Sequence, residues 1–146
     1  MRFFVLAVVG SFLFVSSAPA QQIVPAGQFS IAGVPFNCGA IPTLLYPSGG
    51  DIATATPGSI NLNWPRFSSQ TPAVQAFIYA HECAHHLYGS DENVADCWAV
   101  SIGKAQGFLK PDSIQQICNA VALSPGDWTH FPGPMRCQNM IACFSR

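Results

Sequence analysis

Charge is scarce in this chain. Asp, Glu, Lys and Arg together make up 9% of its 146 residues, and no basic run occurs anywhere. Nucleic acids and anionic membrane surfaces are bound through clustered Lys and Arg, so both are poor candidates as partners. None of the cysteines forms a CxxC pair, which argues against a zinc site built from thiolates. There is no internal repeat, and no low-complexity segment follows the N-terminal stretch, so solenoids and arrays are excluded. The longest uncharged apolar run, Phe3 to Val15, is too short to span a bilayer.

That run has a different meaning. Arg2 precedes it and Ser16-Ser17-Ala18-Pro19-Ala20 follows it, giving a positive start, an apolar centre and an A-x-A cleavage site. Residues 1–20 are expected to be a secretory signal peptide cut after Ala20, leaving no membrane attachment. The mature protein is then secreted or periplasmic. All six cysteines, Cys38, Cys83, Cys97, Cys118, Cys137 and Cys143, follow this point. In an oxidising compartment an even count implies disulfides, three here, with a connectivity that spacing leaves open. Past residue 20 the charges are five basic residues against seven acidic ones, near −2.

Residues 21–34 read as an N-terminal tether and residues 35–146 as one domain. The stretch to about Pro57 is rich in Pro, Gly and Ser, with short apolar runs at Phe29 to Phe36 and Ile41 to Tyr46 that suggest short strands. Ser59 to Trp64 alternates polar and apolar residues after Pro57-Gly58 and is the best strand candidate, expected as an edge strand over the site. Thr71-Pro72 is a helix start, with Ala73 to Tyr88 as its body and Gly89 as its stop. A second helix is expected from Asp91 to Gln106 with Ser90 as cap, a third from Pro111 to Leu123, and a fourth from Gly133 to Phe144. The fold class that results is α+β.

Chemistry-bearing residues cluster in this frame. The only two glutamates, Glu82 and Glu92, and three of the four histidines lie between residues 81 and 92. His81 and His85 stand at i and i+4, so both imidazoles leave one helix face a turn apart and can reach one metal ion. Glu82 beside them can address a water in an open coordination position. Catalytic zinc keeps three protein ligands, and Glu92 at the start of the next helix is the first choice for the third, with Asp91 and Asp96 as rivals. Asp96, one turn after Glu92, suits the task of accepting the free ring N–H of a ligand histidine. His86 points off the ligand stripe and is expected to pack or hydrogen-bond. Tyr79 and Tyr88 are expected in the core, as are Trp98, Val100, Ile102 and Phe108.

The segment Ala80-His81-Glu82-Cys83-Ala84-His85-His86, followed by Glu92-Asn93-Val94-Ala95-Asp96-Cys97-Trp98-Ala99, resembles the bacterial neutral zinc metallopeptidase family. Its pattern is HExxHH, then ExxADC, an aromatic residue and Ala. Thr129-His130 with Arg136 six residues on is similar to that family's THxxxxxR segment, and Pro35-Phe36-Asn37-Cys38 to its PFYC entry segment. More broadly, HExxH paired with ExxxD resembles the gluzincin zinc peptidases. Two departures stand out: only six residues separate His85 from Glu92, where the family has a longer insertion, and Cys83 replaces a small residue.

The resemblance implies a disulfide-pinned α+β domain in which an HExxH helix packs on an ExxxD helix, with Zn2+ as cofactor. It also implies a role beside the metal for His130, in catalysis or substrate binding. Arg136 is expected to pair with Asp96 or Asp127, since its fork suits carboxylates. The function expected is zinc-assisted hydrolysis of a peptide or protein substrate. Two alternatives share these residues: hydrolysis of another amide or an ester, and a silent binding module whose ion is closed off by a fourth protein ligand such as His86 or Asp96.

Overall fold

The computed structural model describes residues 21–146, and the expected signal peptide lies outside the described residues. Six short strands precede five helices in an α+β arrangement. β1 (Gln22–Val24), β4 (Thr43–Tyr46), β6 (Ser59–Asn63) and β5 (Ala53–Thr56) form one sheet in the order β1-β4-β6-β5, while β2 (Phe29–Ile31) and β3 (Val34–Phe36) form a separate hairpin. β4 and β6 run parallel, and the other pairs are antiparallel. The β2–β3 turn places both Ala32 and Gly33 at positive φ, 49° and 80°, the backbone a two-residue hairpin loop requires.

Two expectations change here. Residues 21–34, expected as a tether, carry β1 as well as β2, the latter within the strand-like run from Phe29 to Phe36, and Phe29 and Ile31 are buried in the core. The Pro and Gly of this stretch punctuate strands instead of keeping them apart. Ser59 to Trp64 is also not an edge. β6 sits between β4 and β5, with Ser59, Ile60, Leu62 and Asn63 buried, and the edge strands of this sheet are β1 and β5. Alternating small Ala and Thr side chains gave β5 too weak a pattern to single out.

The helices begin with α1 (Trp64–Ser68), a short turn capped by Asn63. In α2 (Pro72–Tyr88) the Thr71 side chain accepts from the Val74 N–H, Pro72 occupies the first turn, and Gly89 at φ 87° ends the helix. α3 (Glu92–Ala105) is capped by Asp91 instead of Ser90: the carboxylate accepts from the N–H groups of Asn93 and Val94. α4 (Pro111–Val121) and α5 (Gly133–Phe144) complete the chain.

α2 is the shared wall of two apolar clusters. On one side Ala76, Tyr79 and Cys83 pack with Phe29, Ile60, Leu62 and Phe67; on the other Val74, Phe77 and Ala80 pack with Ala99, Val100, Ile117 and Met140. The Tyr79 ring stacks on Phe29 with centroids 4.8 Å apart, whereas Tyr88, expected in the core, is exposed and lies tilted against Trp98 with centroids 5.9 Å apart. Trp98, Ile102 and Phe108 are half-buried against the clusters, and Val100 is fully buried.

All six cysteines are bridged, Cys38–Cys83, Cys97–Cys143 and Cys118–Cys137. These tie α2 to the segment after β3, and α5 to both α3 and α4. A native bridge in a domain of this size is typically worth about 2–4 kcal/mol. No helix among the described residues is long and apolar enough to cross a membrane.

Candidate metal centre

α2 presents His81 and His85 one turn apart, and the turn through Gly89 and Ser90 brings the first residue of α3, Glu92, back across them. His81 Nε2 and His85 Nε2 are 3.1 Å apart. Glu92 Oε2 lies 2.9 Å from the first and 3.4 Å from the second. These three residues form a group that could hold a metal ion. Of the three carboxylates considered for the third corner, Asp91 is spent on capping α3, Asp96 is bound elsewhere, and Glu92 alone reaches both imidazoles.

The other ring nitrogens set which atoms the two imidazoles turn toward Glu92. His85 Nδ1 lies 2.9 Å from the Gly89 carbonyl, which can only accept, so Nδ1 carries the proton and Nε2 presents a lone pair. His81 Nδ1 lies 2.9 Å from Asp96 Oδ1 and donates to it. With Nδ1–H tautomers, three electron-rich atoms face one another. Glu92 Oε2 is buried, and although imidazole nitrogens stand close to it, none meets it in hydrogen-bond geometry. A proton or a metal ion relieves this crowding. Donors on a tetrahedral ion at about 2.0–2.1 Å would be about 3.3 Å apart. The observed separations of 2.9, 3.1 and 3.4 Å bracket that edge. The donor set fits zinc.

Without a metal the cluster holds a proton. Burial works against a charged His81, yet the hydrogen bond to Asp96 and the nearby Glu92 carboxylate outweigh it and push the imidazole up to about 9. Glu92 is held below the usual carboxylate range, burial being overcome by His81 and the neighbouring imidazoles. Asp96 is held low as well, because Arg136 and His81 more than offset its burial. The Arg136 fork donates from Nε to Asp96 Oδ2 at 2.8 Å and from Nη2 to Oδ1 at 2.7 Å. Of its two expected partners, Arg136 thus takes Asp96.

Glu82 is buried on the same helix beside the group, and burial raises its pKa, with His81, His85 and an N–H from Ala55 of β5 acting the other way. His86 departs from the ligand stripe and meets the Ser59 carbonyl at 3.1 Å. Neither it nor Asp96 joins the donor group, which among the described residues consists of His81, His85 and Glu92.

His130 arrives from the loop between α4 and α5. Its Nε2 is 2.8 Å from Glu92 Oε2, and its Nδ1 is 3.2 Å from Asp127 Oδ2. Asp127 in turn caps the loop, accepting from the N–H groups of Thr129 and His130, which hold its carboxyl well below the usual range. Sequence reasoning offered Asp127 only as a partner for Arg136. The signal for its actual role was the Asp-x-x-His spacing in a Pro- and Gly-bounded loop, an Asx-turn pattern.

The group lies in a cleft of about 630 Å³ walled by β5, the α2–α3 turn and the Asp127–His130 loop. No family model matches this chain, and no curated protein and no solved structure matches it either. The family likeness therefore stands on the short motifs around His81, Glu92 and His130.

Proposed function

We propose that this chain is an exported zinc hydrolase that cleaves peptide bonds. The observation that carries the reading is the convergence of His81, His85 and Glu92 on one point of an open cleft, with the buried Glu82 carboxylate beside them. Zinc held by these donors would polarise a carbonyl and lower the pKa of a water molecule. Glu82 then acts as general base, taking the proton of the attacking water and returning it to the leaving amine. Its raised pKa suits both transfers, because a carboxylate shifted toward neutrality accepts and releases a proton with less penalty. His130, carrying hydrogen on both ring nitrogens, gives Nδ1–H to Asp127 and directs Nε2–H at the developing oxyanion. Asp96 keeps His81 in the tautomer that offers Nε2 to the ion.

An extended substrate has a natural seat. β5 is an edge strand of the sheet, and it borders the cleft beside Glu82. A peptide can add to it as a further strand, its main chain supplying the affinity and its side chains the selectivity. Export accords with the three disulfides and with the expected leader at residues 1–20.

The test is to load the oxidised protein with zinc, incubate it with a denatured protein and a peptide mixture, and identify products by mass spectrometry beside Glu82→Gln. Cleavage by wild type and at most a hundredth of it by the variant is expected. A protein that binds zinc but leaves every peptide intact would transfer the assignment to an ester or amide substrate, or to a binding module.

A further inference from the structure

Each disulfide contains a cysteine that directly follows a polar residue of the site: Cys83 follows Glu82, Cys97 follows Asp96, and Cys137 follows Arg136. Two of the bridges, Cys97–Cys143 and Cys118–Cys137, converge on α5. Arg136 is the one charged residue of that helix, and its fork closes on both oxygens of Asp96, which is 2% exposed. Asp96 Oδ1 also meets His81 Nδ1 at 2.9 Å. A chain of three side chains therefore runs from α5 through α3 to a donor on α2.

The geometry of this chain does more than bury a charge. A carboxylate held only by an imidazole can turn about its own bonds, and the ring can follow it. Clamped at both oxygens by a planar guanidinium, the carboxylate has one orientation, and so does the ring that donates to it. We propose that Arg136 is a positioning residue of the metal centre, fixing the His81 ring through Asp96, and that the Cys97–Cys143 and Cys118–Cys137 bridges hold it in place. This rests on the reading of His81, His85 and Glu92 as ligands. Metal affinity then depends on α5 being cross-linked, although α5 gives no ligand.

The test measures zinc affinity by competition with a chromophoric chelator and the visible absorption of the Co2+-loaded protein. It compares wild type with Arg136→Lys, Arg136→Gln and the bridge-less pair Cys118→Ala/Cys137→Ala. Removing the partner of a ligand's supporting group typically weakens metal binding about 10–100-fold, and that loss is expected for Arg136→Gln. Arg136→Lys, which keeps the charge without the fork, should fall between it and wild type. The bridge-less pair should lose affinity in the same direction, with an altered Co2+ spectrum in all three. A merely structural Arg136 would lower the melting temperature of the metal-free protein and leave affinity and spectrum unmoved. Affinities within about threefold of wild type in every folded variant would overturn the proposal, as this is well short of the usual supporting-group effect. Should Arg136→Gln fail to fold, Arg136→Lys and the bridge-less pair decide. A wild type that takes up no zinc would overturn the ligand reading itself and the proposal with it.

Discussion

The two sides of the cleft are built in different ways. On the α2–α3 side His81, Glu82 and Asp96 are buried, and the helices that carry them are cross-linked at Cys83 and Cys97. On the other side His130 rides a loop in which Trp128 is fully exposed and the Asp127 hydrogen bonds are local. A packed helix pair fixes donors to within the tolerance a metal demands, while a loop held by one Asx turn can shift when something enters the cleft. Holding the ion should therefore belong to the helices, and turnover should depend on both sides.

The largest expected break falls on the helical side. His85→Ala removes a donor, so bound zinc measured by elemental analysis should drop to background and peptidase activity with it. The melting temperature gained from zinc should disappear too, because the ion stabilises only the folded chain. Glu82→Gln separates the two properties on the same helix: zinc is retained, and the cleavage rate falls by about 10²–10⁴-fold. A variant with wild-type turnover would remove Glu82 from the mechanism.

On the loop side, His130→Ala should retain zinc and lose about 10²-fold in turnover, the usual cost of an oxyanion donor. Zinc loss in that variant would erase the contrast between the two sides. The proton sharpens it in another way. The His81 pKa is raised to about 9 from 6.5, so in metal-free protein its protonation adds stability that is fully present below 6.5 and is lost as pH rises through 9. Zinc must displace that proton. Its affinity should rise by about tenfold per pH unit through this window and level off above it, as measured by competition titration.

Gly126→Ala should have the smallest effect on the centre itself, acting only through the loop. Gly126 has φ 78°, and a Cβ there would lie 2.7 Å from the Pro132 nitrogen and 2.8 Å from the His130 carbonyl oxygen. The substitution should cost more than about 1 kcal/mol in stability and displace His130, lowering turnover without changing zinc content.

The same contrast governed what was legible in the sequence. The helical side could be read because its signals are local: Thr71-Pro72 starts α2, Gly89 stops it, and the i, i+4 spacing sets the two imidazoles on one face. Glu92 could be preferred over Asp91 and Asp96, but the turn that decides among them is set by Asp91 capping α3, an effect of backbone geometry. The pairing of the cysteines was not legible, since it depends on how α3, α4 and α5 pack. β5 escaped notice because small Ala and Thr side chains carry little pattern, and its strand conformation comes from pairing with β6. The run from Phe29 to Phe36 was legible as short strands, but the burial of Phe29 and Ile31 was not, as the partners that cover them are distant in sequence. Tyr88 was misjudged because the last turn of α2 extends past the core.

The central claim is that two imidazoles and one carboxylate hold a single ion, and zinc K-edge X-ray absorption on the oxidised, zinc-loaded protein tests it most directly. The expected result is a first shell of nitrogen and oxygen at about 2.0–2.2 Å, with the outer-shell scattering of two imidazoles and no sulfur near 2.3 Å. Sulfur in the shell, or a protein that emerges from loading without zinc, would contradict it.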